Sequence, residues 1–92
     1  MIQSFRDEDT RRVFDGSGSR KWSAIERVAR RKLDQVEAAG ALMDMRVPPG
    51  NRLEALKGDR AGQHSIRING QYRICFEWRA DGAHEVEIAD YH

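Results

Sequence analysis

The chain has 92 residues and a formal net charge of +1, with 34% charged and 39% hydrophobic residues. This length predicts a single domain over residues 1–92 with a small core, and the regular apolar patterns exclude a disordered chain. We find neither an apolar run long enough to span a membrane nor a secretory leader, so we expect a cytoplasmic protein without membrane contact.

The N-terminal half predicts a short strand and two helices. Residues 2–5 form the candidate strand, and RDEDTRRVF begins with acids that favour the positive end of a first helix. DGSGS at 15–19 ends that helix. KWSAIERVARRKLDQVEAAG predicts a second, amphipathic helix that Gly40 ends. Its apolar side comprises Trp22, Ile25, Ala29, Leu33 and Val36, and its basic side Arg20, Arg27 and Arg31.

After VPPGN at 47–51 the hydrophobic pattern changes from a helical period to alternation of every second residue. Three alternating segments follow, and ADG at 80–82 separates the last two. The C-terminal half is therefore predicted to be a three-stranded antiparallel meander.

The turn INGQ decides which side chains share a face of this sheet. A two-residue Asn69-Gly70 turn would pair Ile66 with Arg73 and divide the apolar residues between both faces. A three-residue loop, with Gly70 in the left-handed conformation and a bulge, keeps the apolar residues together. We predict the bulged loop, which leaves Arg73 and Cys75 on the face away from the helices.

Cysteine and histidine are too scattered to suggest a metal site. The lone Cys75 cannot form an internal disulfide and is typical of a reducing compartment. Histidines stand singly at positions 64, 84 and 92, without the spacing of metal ligands. We therefore expect no metal and no other cofactor.

Basic residues are concentrated in two zones, although the chain is nearly neutral. Residues 11–32 contain eight basic residues against two acidic ones, and residues 46–73 contain six against two. Such zones indicate either local contact with a polyanion such as RNA or an ordinary solvated surface.

Several polar residues of the C-terminal half match the needs of RNA cleavage without a metal. This reaction requires a base for the 2′-hydroxyl, cations around the phosphate, and an acid for the leaving 5′-oxygen. Glu54 or Asp90 could be the base, while Arg73 and Lys57 could supply the cations. Each of these side chains could equally be a solvated or ion-paired surface group.

The last two positions could complete such a site. Histidine is the side chain whose unperturbed charge change falls near neutral pH, so His92 could act as acid or base. Tyr91 could stack on a base or donate a hydrogen bond. The alternative for both is a frayed terminus without function.

Three segments together resemble the HigB-type toxins of the RelE superfamily. They are SFRDEDTRRVF, RLEALKGDRAGQHSIRINGQYRICFEW and VEIADYH, and the resemblance covers essentially the whole chain. It implies an α+β, RelE-like fold, in which a short N-terminal strand and two helices pack on one face of a small, mainly antiparallel sheet.

The resemblance also implies an activity and partners. Such toxins are ribosome-dependent endoribonucleases that cut mRNA in the A site without a metal. A cognate helix-turn-helix antitoxin, similar to HigA, silences them, and operator DNA is contacted only through that antitoxin. The basic side of the second helix, with Arg20, Arg27 and Arg31, is then a candidate contact for ribosomal RNA.

The family's functional residues match positions of this chain one by one. The terminal Asp, Tyr and His correspond to Asp90, Tyr91 and His92. The lysine of LKG corresponds to Lys57, and the arginine of the strand motif to Arg73.

Position 54 departs from the family pattern. HigB-type toxins often have histidine where this chain has Glu54. A glutamate there is similar to the YoeB-type branch, whose acid–base pair is Glu and His. The preferred assignment is therefore Glu54 as base, His92 as acid and Arg73 on the phosphate.

Two other functions are compatible with the same superfamily. ParE-like members bind DNA gyrase and are not nucleases, so the fold alone does not decide the activity. An inactive homologue could serve only as a co-repressor with its antitoxin.

Overall fold

The computed structural model describes residues 1–90, which form two helices and a four-stranded sheet. The helices are α1, Glu8–Asp15, and α2, Glu26–Ala38, and the strands are β1, Glu54–Ala55, β2, His64–Arg67, β3, Tyr72–Arg79, and β4, Gly82–Asp90. The strand order is β1-β2-β3-β4, with every neighbouring pair antiparallel. The α+β architecture expected from the sequence is confirmed.

Helix α1 forms where the acidic segment predicted it. Asp7 caps its N-terminus, because the Asp7 carboxylate accepts a hydrogen bond from the Thr10 backbone N–H at 2.7 Å. Gly16 ends it with φ at 85°, a left-handed conformation that glycine adopts without steric cost. The Thr10 hydroxyl in turn accepts from the backbone N–H of Ile88 at 3.0 Å, which ties α1 to β4.

Helix α2 is shorter at its start than the sequence predicted. Residues 21–25 form turns, and the helix begins only at Glu26. The Glu26 carboxylate accepts from the Ser19 N–H at 3.0 Å, so this side chain holds the preceding loop against the helix start. Trp22 still packs in the core, but Arg20 does not belong to the helix.

Gly40, which was predicted to end α2, does not terminate the helix in a left-handed conformation. The C-cap residue is Ala39, whose N–H reaches the Gln35 carbonyl, and the Gly40 N–H instead donates to Asp44 Oδ2 at 3.0 Å. Gly40 is absent from the positive-φ residues of the described chain. The helix thus ends on extended backbone rather than on a glycine turn.

The β2–β3 loop has the predicted three-residue register but a different construction. Ile66 lies opposite Ile74, so the apolar residues share one face. Gly70, however, does not have a positive φ. The Asn69 side chain holds the loop instead, because its Oδ1 accepts from the N–H groups of Gln71 and Tyr72, both at 2.8 Å.

The sheet is one strand wider than the predicted meander. The extra strand β1 lies beside β2, with Glu54 opposite Ser65. At the other edge, the N-terminal segment makes parallel bridges to β4 through Ile2 and Phe5 rather than a regular strand. The β3–β4 pairing shifts register between Cys75 and Glu77, close to Glu85, which has φ at 52°.

The main core lies between the helices and one face of the sheet. Ala29, Leu33 and Val36 of α2 are fully buried together with Ile74 and Phe76 of β3. Residues 1–90 contain no helix that could cross a lipid bilayer. The opposite sheet face lies outside this core and carries Arg73; it is referred to below as the open face, although Ser65 and Cys75 on it are fully buried.

Candidate functional site

A row of four polar or small residues crosses the open face. Direct cross-strand pairing aligns Glu54 with Ser65, Ser65 with Cys75, and Cys75 with Glu87. Paired residues point to the same face of a sheet, so these side chains lie side by side across all four strands. Arg73 lies on the same face, two residues before Cys75 on β3.

The guanidinium of Arg73 is held by two acceptors. Its Nε donates to Ser65 Oγ at 2.7 Å, and its Nη2 donates to the backbone carbonyl of Arg52 at 2.6 Å. Arg52 has φ at 47°, an uncommon conformation for a residue other than glycine. The Arg73 side chain is only 12% exposed, so these bonds fix its orientation within the sheet face.

Glu54 is the acidic neighbour of this arginine. Its Oε1 lies 3.8 Å from Arg73 Nη2, and its side chain is 48% exposed. This distance is longer than a hydrogen bond, so the carboxylate does not occupy the guanidinium donors. Among the predicted site residues that fall within residues 1–90, Glu54 and Arg73 are the two that the structure brings directly together.

Lys57 lies in the loop that follows Glu54. It is exposed and precedes Gly58, whose φ of 63° allows the chain to turn into a short 3₁₀ segment, Gly58–Arg60. Within the described part of the chain the Lys57 ammonium makes no hydrogen bond or ion pair. It is therefore available to a ligand.

The loop carrying Lys57 is anchored across the sheet to β4. Arg60 Nη1 lies 2.6 Å from Glu87 Oε1, and Arg6 Nε lies 3.2 Å from Glu87 Oε2. The Glu87 side chain is only 12% exposed. A single carboxylate thus connects the loop, the last strand and the N-terminal segment.

Replacing Glu87 by glutamine is expected to lower the free energy of unfolding by roughly 1 to 3 kcal/mol, because two arginines lose a charged hydrogen-bond acceptor. Urea denaturation of the variant measures this loss. Glu85→Gln on the exposed side of the same strand is the matched control and should change stability little. Equal stability of both variants would show that Glu87 does not anchor the loop.

Sequence reasoning missed Ser65, Arg60 and Glu87. The alternation of β2 and β3 places Ser65 on the face of Arg73, and this was the one available signal. Nothing in the sequence pattern indicates that a loop residue reaches across the sheet to Glu87.

Cys75 is a packing residue beneath this surface. It is fully buried and lies outside the main core cluster. Burial raises the pKa of its thiol, which therefore stays protonated at neutral pH and is a poor nucleophile.

Asp90 lies at the same end of the sheet but not beside Arg73. It pairs with Tyr72 across the β3–β4 ladder, whereas Arg73 pairs with Ala89, so the Asp90 side chain leaves on the helix-side face. Its Oδ2 accepts from Gln71 Nε2 at 3.1 Å. Asp90 also borders a cavity of about 530 Å³ whose walls include Arg60. Tyr91 and His92 lie outside the described residues.

The three predicted basic residues of the helical half line two neighbouring depressions that share Glu26. Arg27 and Arg31 line a shallow groove on α2 together with Arg30. Arg20 precedes the helix and borders the other depression, beside Arg12. In residues 1–90 no group of three or more His, Cys, Asp or Glu side chains is placed to hold a metal ion.

Comparison with known proteins gives a consistent family. The profile of a family described as the RelE-like toxin of the type II toxin-antitoxin system HigB matches residues 3–92. The chain is similar to Toxin HigB-1 of Vibrio cholerae serotype O1, with 52% identity over 80 residues covering 85% of this chain and 84% of the relative. An uncharacterized protein of Haemophilus influenzae is 35% identical over 78 residues, covering 83% and 77%.

A profile match over residues 3–92 and a relative that is 52% identical over 80 residues are each sufficient to establish the family. A type II toxin has a cognate antitoxin as its partner. The chain belongs to the HigB family of RelE-like toxins of type II toxin-antitoxin systems.

Proposed function

We propose that this toxin is a ribosome-dependent endoribonuclease that cuts mRNA in the A site by attack of the 2′-hydroxyl, without a metal. The observation that carries the proposal is the pair formed by the Glu54 carboxylate and the Arg73 guanidinium, 3.8 Å apart on the open face. A base and a cation at this separation can act on neighbouring oxygens of one phosphodiester.

Each step of the cleavage has a candidate side chain. Glu54 accepts the proton of the 2′-hydroxyl, whose oxygen attacks the phosphorus. Arg73 and Lys57 stabilise the negative charge that gathers on the phosphate oxygens in the transition state. His92 donates a proton to the departing 5′-oxygen, which leaves a 2′,3′-cyclic phosphate. Tyr91 stacks on a nucleobase of the message.

Asp90 is the weaker candidate for the base. Its side chain leaves the sheet on the face opposite to Arg73, whereas Glu54 shares the face of the arginine. We therefore propose Asp90 as a residue that orients the C-terminal residues or the RNA rather than one that takes the first proton.

The ribosome supplies what the small site lacks. The ribosome already restricts the conformation of the bound message, so the toxin does not have to supply the free energy for ordering it. A few side chains are then enough to align the reacting oxygens. A net charge of +1 is then sufficient, since the toxin need not bind free RNA tightly. This activity places the working protein in the cytoplasm.

We propose that the antitoxin partner is a HigA-like protein with a helix-turn-helix domain. Operator DNA would then be bound by the antitoxin and not by the toxin itself. Mixing the toxin with the protein encoded by a neighbouring small open reading frame, and measuring complex formation and operator binding, tests this assignment.

The nuclease activity is tested by adding the purified toxin to translating ribosomes and mapping the 5′ ends of the message. New ends at A-site codons, which require both ribosome and toxin, support the proposal. Unchanged message together with loss of gyrase supercoiling would instead show a ParE-like function. Unchanged message, supercoiling and growth without the antitoxin would indicate an inactive co-repressor.

Arg27→Ala is expected to weaken binding of the toxin to ribosomes several-fold, because the exposed groove on α2 loses one of its three arginines. Cosedimentation at two salt concentrations measures the effect, which should shrink as salt increases. Arg46→Ala, an exposed arginine outside α2, is the control. Equal binding by both variants would remove α2 from the ribosome contact.

A further inference from the structure

Ser65 is a fully buried hydroxyl on the open face, and it is the acceptor for Arg73. Its position follows from strand pairing, because Ser65 stands between Glu54 of β1 and Cys75 of β3 in the same cross-strand row. A buried serine at this place contributes little packing area. Its evident contact is the 2.7 Å hydrogen bond from Arg73 Nε to its Oγ.

This bond determines which donors of Arg73 remain for a ligand. A guanidinium can grip two oxygens of a phosphate either with Nε and Nη2 or with its two terminal nitrogens. Ser65 occupies Nε, and the Arg52 carbonyl takes one hydrogen of Nη2. Among residues 1–90 no acceptor contacts Nη1, so the terminal end is the part of the guanidinium left for phosphate.

The Arg73 side chain is also largely buried, so that reorienting it would cost free energy. With 12% of its side chain exposed, an Nε–H that lost its acceptor would be left with little access to water. The guanidinium would then rotate or shift to recover a partner, and its terminal nitrogens would leave their place beside Glu54.

We propose that Ser65 is a positioning residue for Arg73, which fixes the guanidinium so that its terminal Nη1 end faces the phosphate of the RNA. This inference rests on the proposed nuclease function for its purpose. The positioning itself is a property of the free protein and can be measured without RNA.

Threonine and valine at position 65 form a matched pair of nearly equal shape, differing in the hydroxyl. The Ser65→Thr variant should keep the Arg73 Nε–H protected and the cleavage rate within a few-fold of the parent. The Ser65→Val variant should accelerate exchange of the Nε–H, followed by nitrogen-15 NMR, about tenfold or more, and slow single-turnover cleavage by a similar factor. Circular dichroism and melting temperature show whether both variants fold, and Ser65→Ala replaces the pair if the larger side chains do not fit.

An Arg73→Lys background separates positioning from a merely structural role, because lysine has no Nε–H of this kind. There the loss of the Ser65 hydroxyl should no longer slow cleavage. An unchanged Nε–H exchange rate in the valine variant, or an equal cleavage loss in the lysine background, would overturn the proposal. If the parent protein cuts no message while the NMR difference persists, the nuclease function fails and the positioning of Arg73 stands.

Discussion

Arg73→Ala is expected to slow single-turnover cleavage of ribosome-bound message by roughly 10² to 10³-fold, the scale on which loss of one preorganised charge stabiliser acts. The guanidinium lies on the open face beside Glu54 and keeps Nη1 available for a phosphate oxygen. Its removal takes away the positive charge that would stabilise the crowded phosphate in the transition state.

The same substitution also removes the hydrogen bonds to Ser65 and to the Arg52 carbonyl, so stability must be measured beside the rate. Arg79→Ala is the control, since Arg79 lies at the far end of the same strand and pairs with Glu77. It should leave cleavage unchanged. A folded Arg73→Ala protein that cuts as fast as the Arg79→Ala protein would remove Arg73 from the reaction.

Glu54→Gln is expected to reduce the single-turnover rate by roughly 10² to 10⁴-fold, because the amide keeps the shape of the side chain but cannot accept the 2′-hydroxyl proton. Glu54 is half exposed and not within hydrogen-bond distance of Arg73, so the substitution should leave the melting temperature nearly unchanged. Ribosome binding should be unaffected.

Asp59→Asn provides the comparison for Glu54→Gln, since it removes an exposed negative charge from the following loop. It should cut message at the parental rate. An unaltered rate for the folded Glu54→Gln protein would exclude Glu54 as the base and return this role to Asp90.

The sheet was predictable because its signals are local and repeated. Alternating apolar residues placed Ile66 and Ile74 on one face, and the cost of burying Arg73 among them fixed the register. The construction of the loop was not predictable to the same degree. Both Gly70 and Asn69 can make such a turn, and the choice of the Asn69 side chain depends on the orientation of two N–H groups.

The predicted start of α2 was too early, because the apolar pattern does not mark where the helix begins. Trp22 continues the apolar stripe of the helix, so the periodic pattern extends beyond the helix itself. The competing contact is the Glu26 carboxylate, which binds the Ser19 N–H and stabilises a loop there. Such a contact between a side chain and the backbone seven residues away leaves no trace in hydrophobic periodicity.

The candidate site was predictable in its residues more than in its geometry. Glu54 and Arg73 follow from residue chemistry together with the family resemblance, and strand pairing explains how they meet. The short strand β1, which carries Glu54 to the sheet, is too brief to show a pattern. The structure shows that Glu54 and Arg73 are neighbours, but their catalytic roles stay predictions, as do those of Lys57, Asp90, Tyr91 and His92.

The central claim is that the 2′-hydroxyl of the message is the nucleophile, activated by Glu54 and assisted by Arg73. It is tested most directly with two ribosome-bound messages that differ by a single 2′-deoxynucleotide immediately 5′ of the cleaved bond. The account predicts rapid cleavage of the all-ribose message, with a 5′-hydroxyl on the downstream product, and no cleavage at the deoxy position. Cleavage of both messages at equal rates, or a 5′-phosphate on the product, would contradict it.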